Sequence, residues 1–579
     1  MNARSAVLGV TGVLLTALAA GRAMGQPAGG SAKGATIQEE RLGAMPNAGP
    51  FIYASPDCRR VALIAGSADM KKSWVVVDGK AEPEYDGIVI GTVKFSPDSG
   101  RVAYIATKGK KQAVVVDGKE VGECDEVRGL VFSPDSRHAA FIARTGGKMA
   151  VVLDGKAGSD YYAINVAAPV FSPDSNHMAY IGRIEKTMID GKPVPPDMRM
   201  MPGNNKAVVV VDGKEGPEFD GCLDPKYSPD STRLAYSGSV WKTQKSAAIV
   251  DGKGGAEFDS VLRIIFSPDS KRVAYWAMKG PKHLVVVDDQ PGPECDLVTE
   301  LTFSPDSRHV AYIAQHGGKK AVVLDGKADV DYDGMQVAVR LNDRMAGLMF
   351  SADSSRLAYV AVKGGKKLAV VGGQPGPEYD DISDVLFSPD SRRVAYQAAK
   401  GGKGVVVIDG KAGEEFGGVI FGTIVFSPDS SRVGYIARNG QKQMVVVDGK
   451  AGPEYEWLGS FPRVVFSPDS RHFAYLATQG AKMAVVLDGQ AGPGYGGLLT
   501  TGPWFCPDGR LMYFAMKDKY VAVLDGQEGP ECEKIIGFEA PMPWDSRRPK
   551  VCPDGTVEYL AARDGSLVRM RHVPPPPKP

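Results

Sequence analysis

Short apolar runs alternate with polar turns along almost the whole chain. In one copy, a β-branched run at 423–426 leads into a Ser-Pro-Asp-Ser turn, an alternating run at 432–437, a continuous apolar run at 444–447, and an Asp-Gly pair followed by a polar segment at 450–456. Period-two alternation and β-branched residues predict strands. An Asp-Gly pair predicts a hairpin, because a type I′ turn needs positive φ at both central residues. Each copy therefore predicts four short antiparallel strands.

The third and fourth predicted strands differ in their expected environment. The third is nearly continuous Val and Met, as expected for a strand that is buried on both faces. The fourth carries Pro453 and acidic residues. Proline cannot donate to a sheet ladder and charge discourages edge-to-edge pairing, so this strand is expected at an exposed edge.

The aspartate of the Ser-Pro-Asp turn marks thirteen copies of the unit. Nine of the twelve intervals are 37–41 residues long, and three are longer. Repeats of this length are stacked units that cannot bury their apolar faces alone. We expect these aspartates to make local turn hydrogen bonds rather than to bind cations. The thirteen are Asp57, Asp98, Asp135, Asp174, Asp230, Asp269, Asp306, Asp353, Asp390, Asp429, Asp469, Asp508 and Asp554.

A four-stranded meander of about 40 residues with a protected fourth strand is typical of a propeller blade. The chain resembles the PD40 or WD40-like repeats of TolB-type β-propellers, whose Ser-Pro-Asp turn joins two neighbouring strands of each blade. The resemblance covers the chain from about Phe51 to Val573. It implies an all-β propeller fold but no particular activity, because propellers host many functions.

Thirteen blades exceed the roughly four to eight of a usual ring. The sequence therefore predicts tandem β-propellers of seven plus six blades, with a boundary near Asn342, where the connection between two repeats is stretched. The first propeller is expected at 51–341 and the second at 342–573, with a Pro-rich tail at 574–579. The alternative is one large or open ring. Residues 26–50 are interpreted as a linker with a possible closing strand from Thr36 to Gly43, because the thirteenth repeat lacks a clear fourth strand.

Residues 1–25 have the pattern of a signal peptide, with Arg4 before an apolar run and a small-residue cleavage site before Gln26. We therefore expect an exported protein, periplasmic or extracellular, without a transmembrane segment after cleavage. Cleavage removes Arg4 and Arg22 and shifts the formal net charge from +1 to −1, which indicates no nucleic-acid partner.

Motifs for chemistry are sparse. The seven cysteines lack zinc-ligand spacing, and Cys124, Cys295 and Cys532 occupy a position that holds Tyr or Phe in other repeats, so they are expected to be apolar fillers. Histidines that follow the Ser-Pro-Asp turn stand where other repeats have arginine. No nucleophile, phosphate-binding or dinucleotide motif is found, so we expect no cofactor, no metal and no catalysis.

Binding residues are expected in the loops between the second and third strands. These loops are rich in Gly and Lys and raise the positive potential of one face, although Gly-Lys is also ordinary turn chemistry. The longest loop, at 183–206, is an insertion of the kind that often carries binding. The candidate residues are Arg183, Lys186, Lys192, Arg199, Lys206, Trp241, Lys148, Lys320 and Lys367.

The sequence thus favours an exported, non-catalytic binding platform for a protein, a peptide or an envelope glycan. Two alternatives stay open. One is a glycan hydrolase or lyase that uses a propeller face, and the other is a structural or assembly component of the cell envelope.

Overall fold

A computed structural model describes residues 36–44, 51–57, 59–67, 69, 71–165, 168–185, 188–189, 192–193, 205–336, 347–459, 464–499, 502–536, 549–552 and 554–574. The described residues form strands and turns, and no helix that is long and apolar enough to cross a membrane occurs among them. They build thirteen antiparallel blades, each with four strands in the order first, second, third, fourth. The all-β prediction of thirteen four-stranded blades is confirmed.

Blades 1 to 4 contain the following strands. Blade 1 has Ile52–Ala54, Val61–Gly66, Ser73–Val77 and Lys80–Ala81. Blade 2 has a first strand in two pieces, Gly87–Ile88 and Lys94–Phe95, then Val102–Lys108, Lys111–Val116 and Lys119–Cys124. Blade 3 has Glu126–Phe132, Ala139–Thr145, Lys148–Leu153 and Lys156–Ala157. Blade 4 has Ala163–Ile164 with Val170–Phe171, then Met178–Glu185, Asn205–Val211 and Lys214–Glu215, and its long loop holds the paired strands Met188–Ile189 and Lys192–Pro193.

Blades 5 to 8 follow the same plan. Blade 5 has Gly221–Tyr227, Leu234–Val240, Lys245–Val250 and Lys253–Phe258. Blade 6 has Ser260–Phe266, Val273–Lys279, Lys282–Val287 and Gln290–Pro291. Blade 7 has Leu297–Phe303, Val310–His316, Lys319–Leu324 and Lys327–Ala328. Blade 8 has Gly334–Met335 with Met349–Phe350, then Leu357–Lys363, Lys366–Val371 and Gln374–Tyr379.

Blades 9 to 13 complete the set. Blade 9 has Asp381–Phe387, Val394–Lys400, Lys403–Ile408 and Lys411–Phe416. Blade 10 has Gly418–Val419 with Val425–Phe426, then Val433–Asn439, Lys442–Val447 and Lys450–Tyr455. Blade 11 has Trp457–Leu458 with Val465–Phe466, then Phe473–Gln479, Lys482–Leu487 and Gln490–Ala491. Blade 12 has Gly497–Leu498 with Trp504–Phe505, then Leu511–Met516, Tyr520–Leu524 and Gln527–Glu528. Blade 13 has Lys534–Ile535 with Lys550–Val551, then Val557–Arg563, Ser566–Val573 and, from the other end of the chain, Thr36–Ala44.

The local geometry explains why the repeat folds this way. In the Asp-Gly hairpin of blade 10, Asp448 and Gly449 have φ of 52° and 75°, as the type I′ turn requires. The third strand of that blade is buried along its second half, whereas the fourth strand is exposed except for its terminal Tyr455. The hydrophobic cores lie between blades. One core, for example, joins Val406 of blade 9 to Tyr435 of blade 10.

One hydrogen bond repeats at the interfaces from blade 1 to blade 11. The backbone N–H of the Ser-Pro-Asp aspartate donates to the hydroxyl of the serine that follows the aspartate in the next blade, over 2.8–3.0 Å. These ten serines adopt φ of 62–69°, a left-handed conformation that favours glycine. The serine hydroxyl at this position joins two blades, which glycine could not do. Blades 12 and 13 have Gly509 and Gly555 instead, and Arg510 Nη2 donates to the Gly555 carbonyl oxygen.

The blades form a single ring, which corrects the predicted division into seven plus six. The interface between blades 7 and 8 carries the same bond as the others, from Asp306 N–H to Ser354 Oγ at 2.9 Å. Blade 13 packs on blade 1, where Arg59 Nε donates to Glu558 Oε2 at 2.5 Å and Arg569 Nη2 donates to the Arg59 carbonyl oxygen at 2.9 Å.

The stretched segment that suggested a domain boundary is an insertion within a strand. Gly334–Met335 and Met349–Phe350 both pair with Leu357–Lys363, so the residues between them interrupt the first strand of blade 8 rather than link two rings. Asn342 itself lies outside the described residues. The predicted closing strand is confirmed, because Thr36–Ala44 pairs antiparallel with Ser566–Val573 at the outer edge of blade 13.

Candidate functional site: an axial pocket in blades 4 to 6

A cavity of about 770 Å³ opens between the first strands of blades 4, 5 and 6. Contacts between neighbouring blades concentrate on the third strand of one and the first strand of the next, and the blades of a ring converge towards its axis, so the first strands face the central channel. The cavity is therefore an axial pocket. Its volume falls within the range of ligand-binding clefts. The lining residues are Asn165, Ala168, Pro169, Val170, Ile181, Leu223, Asp224, Pro225, Ser237, Val261, Leu262, Arg263 and Ile264.

The walls of the axial pocket are mainly apolar. Ile181, Val261 and Ile264 are at most 3% exposed and belong to the cores between blades. Leu223 is different, because 62% of its surface is exposed even though it lines the cavity. An exposed large apolar side chain inside a concave site is a feature of ligand-binding surfaces.

Irregular first strands shape the pocket mouth. The pairing register shifts after Leu223 in blade 5 and after Leu262 in blade 6, and the residues that follow, Asp224 and Arg263, have φ of 59° and 44°. Such bulges leave a residue unpaired and redirect its side chain. A left-handed backbone is sterically costly for residues with a Cβ, and such conformations cluster at functional sites.

Three charged side chains lie at the pocket mouth. Two of them pair with each other, and the third has no partner among the described residues. Asp224 Oδ2 lies 2.7 Å from Lys226 Nζ, and the same ammonium lies 3.5 Å from the Ile264 carbonyl oxygen in the next blade. Arg263 is exposed and makes no side-chain hydrogen bond or ion pair with any residue that the structure describes. The mouth therefore carries one positive charge that no described residue neutralises.

Arg183 links this pocket to the base of the blade 4 insertion. Its Nη1 donates to the Asp220 carbonyl oxygen at 3.0 Å. With the Asn165 amide turned so that its oxygen faces Arg183, Nε and Nη2 lie 2.9 and 3.1 Å from that oxygen. Arg183 thus holds Asn165, a lining residue, against the connection between blades 4 and 5.

Three of the predicted binding residues converge on Asp220. Besides the Arg183 bond to its carbonyl oxygen, Asp220 Oδ1 lies 2.5 Å from Lys206 Nζ, and Oδ2 accepts from the Trp241 backbone N–H at 2.7 Å. The Asp220 side chain is only 9% exposed, whereas 59% of the Trp241 surface is exposed. Lys206 therefore belongs to an internal ion pair at the base of the loop.

Three further candidate binding residues belong to the insertion in blade 4. Lys186 and Arg199 lie outside the described residues. Lys192 lies in the short strand Lys192–Pro193, and only its backbone is described. The structure therefore does not place their side chains relative to the pocket.

The arrangement around Asp220, here called a clamp, also holds the Gly-Lys loops of other blades. A carboxylate that follows the fourth strand pairs with a lysine of its own blade and accepts a backbone N–H from the loop of the next blade. Asp296, for example, lies 2.6 Å from Lys282 Nζ and accepts from the Gly317 N–H at 2.7 Å. Equivalent clamps are centred on Asp86, Asp220, Asp259, Asp333 and Asp380. Much of the expected positive potential is therefore neutralised.

The other three lysines of the predicted set lie in different blades. Lys367 Nζ is 2.5 Å from Asp381 Oδ1 and 3.3 Å from Gln336 Oε1. The ammonium groups of Lys148 and Lys320 have no partner among the described residues. The structure does not bring these lysines together with the insertion in blade 4.

The opposite face carries the Ser-Pro-Asp turns. In eleven copies the serine hydroxyl donates to the aspartate over 2.5–2.6 Å, which holds the turn. This bond lowers the pKa of Asp174 and Asp230 to about 2. The histidines of this face also have turn partners, since His138 Nδ1 lies 2.6 Å from Asp154 where other blades use arginine. Hydrogen bonds within each blade thus account for the presence of both the turn aspartates and these histidines.

The cysteines lie in the cores. The six that the structure describes are free thiols, five of them buried, and burial raises the pKa of Cys222 to about 12. Cys58 lies outside the described residues. Within the described part of the chain, no group of three or more His, Cys, Asp or Glu side chains is arranged to hold a metal ion.

Several solved structures match the chain at low similarity. A eukaryotic initiation factor is 16% identical with a TM-score of 0.29, covering 62% of this chain and 96% of its own. TolB from Acinetobacter baumannii is 12% identical with a TM-score of 0.21, covering 46% and 77%. The β-propeller domain of the Trilobed protease from Pyrococcus furiosus is 11% identical with a TM-score of 0.23, covering 50% and 94%. These scores carry no argument about function. No family model and no curated protein matches the sequence.

The axial pocket was not among the sequence predictions. Its signal in the sequence is weak but real: Asp224, Arg263 and Glu300 interrupt the apolar first strands of three successive blades, where blade 3 has Gly129. All four have positive φ. Of the three charged residues at this left-handed position, Asp224 and Glu300 make contacts within the ring, whereas Arg263 makes no side-chain hydrogen bond or ion pair with a described residue.

Proposed function

We propose that this protein is a non-catalytic binding platform and that its axial pocket takes an apolar segment of a polypeptide. The observation that carries the proposal is Leu223, which is 62% exposed on the wall of a cavity of about 770 Å³. Covering a leucine side chain is worth about 1.5–3 kcal/mol. Because 62% of the Leu223 surface is exposed, a partner that covers it gains the corresponding share of this free energy.

The chemistry of the lining favours a polypeptide over a glycan. The described lining contains Val, Ile, Leu and Pro side chains and few hydrogen-bonding groups, among them Asn165 and Ser237. A polypeptide presents apolar side chains to such a surface, whereas a sugar presents hydroxyl groups that need partners when they leave water. The pocket therefore suits the peptide branch of the platform hypothesis.

The pairing of Asp224 supports binding over glycan cleavage. Glycoside hydrolysis uses two carboxyl groups in separate acid and base or nucleophile roles. Among the described residues of the lining, Asp224 is the one that carries a carboxyl group, and that group is already paired with Lys226 at 2.7 Å.

We also propose that the platform acts outside the cytoplasm. The proposal is supported by the n-region, apolar run and cleavage-site pattern of residues 1–25. Mass spectrometry of protein recovered from fractionated cells tests it. A mature N-terminus at Gln26 in an exported fraction is expected, and an intact N-terminus in the cytoplasmic fraction contradicts it.

The binding proposal is tested with a displayed library of random short peptides selected on the purified protein. We expect enrichment of peptides with apolar residues. Leu223→Asp is expected to weaken a selected peptide by about tenfold or more, because it puts a charge where an apolar contact forms. Val330→Asp is the matched control, since Val330 is 64% exposed but lies in blade 7, away from the pocket. Absence of enrichment, or equal affinity of both variants, overturns the proposal.

A further inference from the structure

The first strands of blades 5, 6 and 7 carry three charged residues in left-handed conformation, Asp224, Arg263 and Glu300. Two of them act within the ring. Asp224 pairs with Lys226, which reaches the Ile264 carbonyl oxygen of blade 6, and Glu300 Oε2 accepts from the Leu348 N–H of blade 8 at 3.0 Å. These side chains join neighbouring blades. Arg263 is different, because its guanidinium contacts no described residue through a hydrogen bond or ion pair.

The fold alone does not explain why an arginine stands at position 263. With φ of 44° the residue is in a region that favours glycine, and blade 3 has Gly129 in the same left-handed conformation. Arginine has a steric cost in this conformation, and its side chain makes no hydrogen bond or ion pair with the described part of the ring. A strained residue at the mouth of a cavity points to a role in binding.

The electrostatics of the mouth are consistent with that role. The charges of Asp224 and Lys226 offset each other at 2.7 Å, so the guanidinium of Arg263 leaves a positive excess beside the apolar walls. Guanidinium groups bind carboxylates through paired, charge-assisted hydrogen bonds. The site thus combines an apolar contact surface with a guanidinium group that no described residue occupies and that suits an anion.

We propose that the axial pocket selects polypeptide segments in which a carboxylate neighbours apolar side chains, with the carboxylate on Arg263 and an apolar side chain against Leu223. The inference rests on the proposed function and deepens it by naming the chemistry of the partner. Arg263 is then the residue that determines specificity, and Leu223 supplies apolar contact area.

The peptide selection described above separates this inference from the proposed function. Enrichment of apolar peptides with Asp or Glu at a fixed spacing supports both. Enrichment of apolar peptides without an acidic preference overturns the inference and leaves the proposed function standing. Selection of no peptides overturns both.

Variants of Arg263 provide the second readout. Arg263→Gln is expected to weaken a selected acidic peptide by about two- to fivefold and to leave its Glu-to-Gln analogue unaffected. Arg392→Gln, an exposed arginine in the Ser-Pro-Asp turn of blade 9, is the control and is expected to change neither. Equal loss for both peptides with Arg263→Gln contradicts a carboxylate contact.

Arg263→Gly tests whether the residue is needed for folding. Glycine adopts the left-handed conformation without strain, so the midpoint of thermal unfolding is expected to stay the same or rise while the acidic preference disappears. A fall in the midpoint shows that Arg263 stabilises the ring, and an unchanged acidic preference shows that it does not select the ligand. Either result overturns the inference.

Discussion

The backbone N–H of Asp306 donates to the hydroxyl of Ser354 at 2.9 Å, across the interface between blades 7 and 8. The same bond joins blades 6 and 7, where Asp269 donates to Ser307 at 2.8 Å. The interface at which two rings were expected to separate is therefore built like its neighbours. Blades 2 to 11 each offer this acceptor to the blade before them, and blade 13 packs on blade 1 through Arg59 and Glu558, so the thirteen blades form one ring.

Substitution of Ser354 tests how much this bond contributes. Ser354→Ala keeps the left-handed φ of 63° but leaves the Asp306 N–H without its acceptor, so the free energy of unfolding is expected to fall by about 1–3 kcal/mol. Ser354→Gly loses the same acceptor but relieves the backbone strain, so its loss is expected to be smaller. Denaturant titrations of both variants give the comparison. A glycine variant that is less stable than the alanine variant contradicts the expectation that glycine relieves backbone strain at this position.

Closure of the ring depends on Glu558. Its side chain is 4% exposed, and it accepts from Arg59 Nε of blade 1 at 2.5 Å and from Arg571 Nε at 2.8 Å. Removing Glu558 takes away the acceptor of two arginines that are each 38% exposed, which is expected to cost about 1.5–3 kcal/mol. Glu558→Ala is therefore expected to lower the thermal midpoint strongly. Glu40→Ala, whose side chain is 47% exposed in its pair with Arg569, is expected to have little effect. Similar midpoints for the two variants contradict closure through Glu558.

Stability is expected to fall between about pH 6.5 and pH 4 because of His572. Burial lowers the pKa of this imidazole from 6.5 to about 4. The imidazole is therefore protonated at a lower pH in the folded protein than in the unfolded chain. The contribution is complete above pH 6.5 and is lost as the pH falls towards 4, by up to about 3 kcal/mol. Thermal unfolding across this range is the measurement. His572→Gln is expected to remove the slope, and an unchanged slope in that variant contradicts the assignment.

A separate loss is expected at lower pH from the Ser-Pro-Asp turns. The serine hydroxyl holds the pKa of Asp174 and Asp353 at about 2, below the ordinary 3.8. Their contribution is present above pH 3.8 and is lost as the pH falls towards 2. Thermal unfolding of Ser351→Ala, which removes the bond to Asp353, is expected to show a smaller drop over this interval than the unaltered protein. An equal drop contradicts the contribution of the turn.

Much of the blade was predictable because its signals are local. The Asp-Gly pairs set the hairpins, the proline-bearing strand marked the outer edge, and the segment beginning at Thr36 supplied the missing strand of blade 13. Ser354 belongs to the repeated turn in the sequence, but its bond to Asp306 joins two blades and cannot be deduced from one repeat.

The single ring and the axial pocket could not be predicted from the sequence, for a different reason. The stretch before Asp353 has the composition of a connection, and only the pairing of Gly334–Met335 and Met349–Phe350 with one common strand identifies it as an insertion. The pocket depends on backbone conformations at Asp224 and Arg263 that arise from register shifts between strands. In the sequence these shifts show only as single charged residues within apolar strands, which alone do not specify a backbone conformation.

The most direct test of the account is a cryo-EM structure of the protein with a selected apolar, acidic peptide. The account predicts one closed ring of thirteen blades, with peptide density in the axial pocket, an apolar side chain on Leu223 and a carboxylate at Arg263. Two rings, or peptide density at the loop face away from blades 4 to 6, would contradict it.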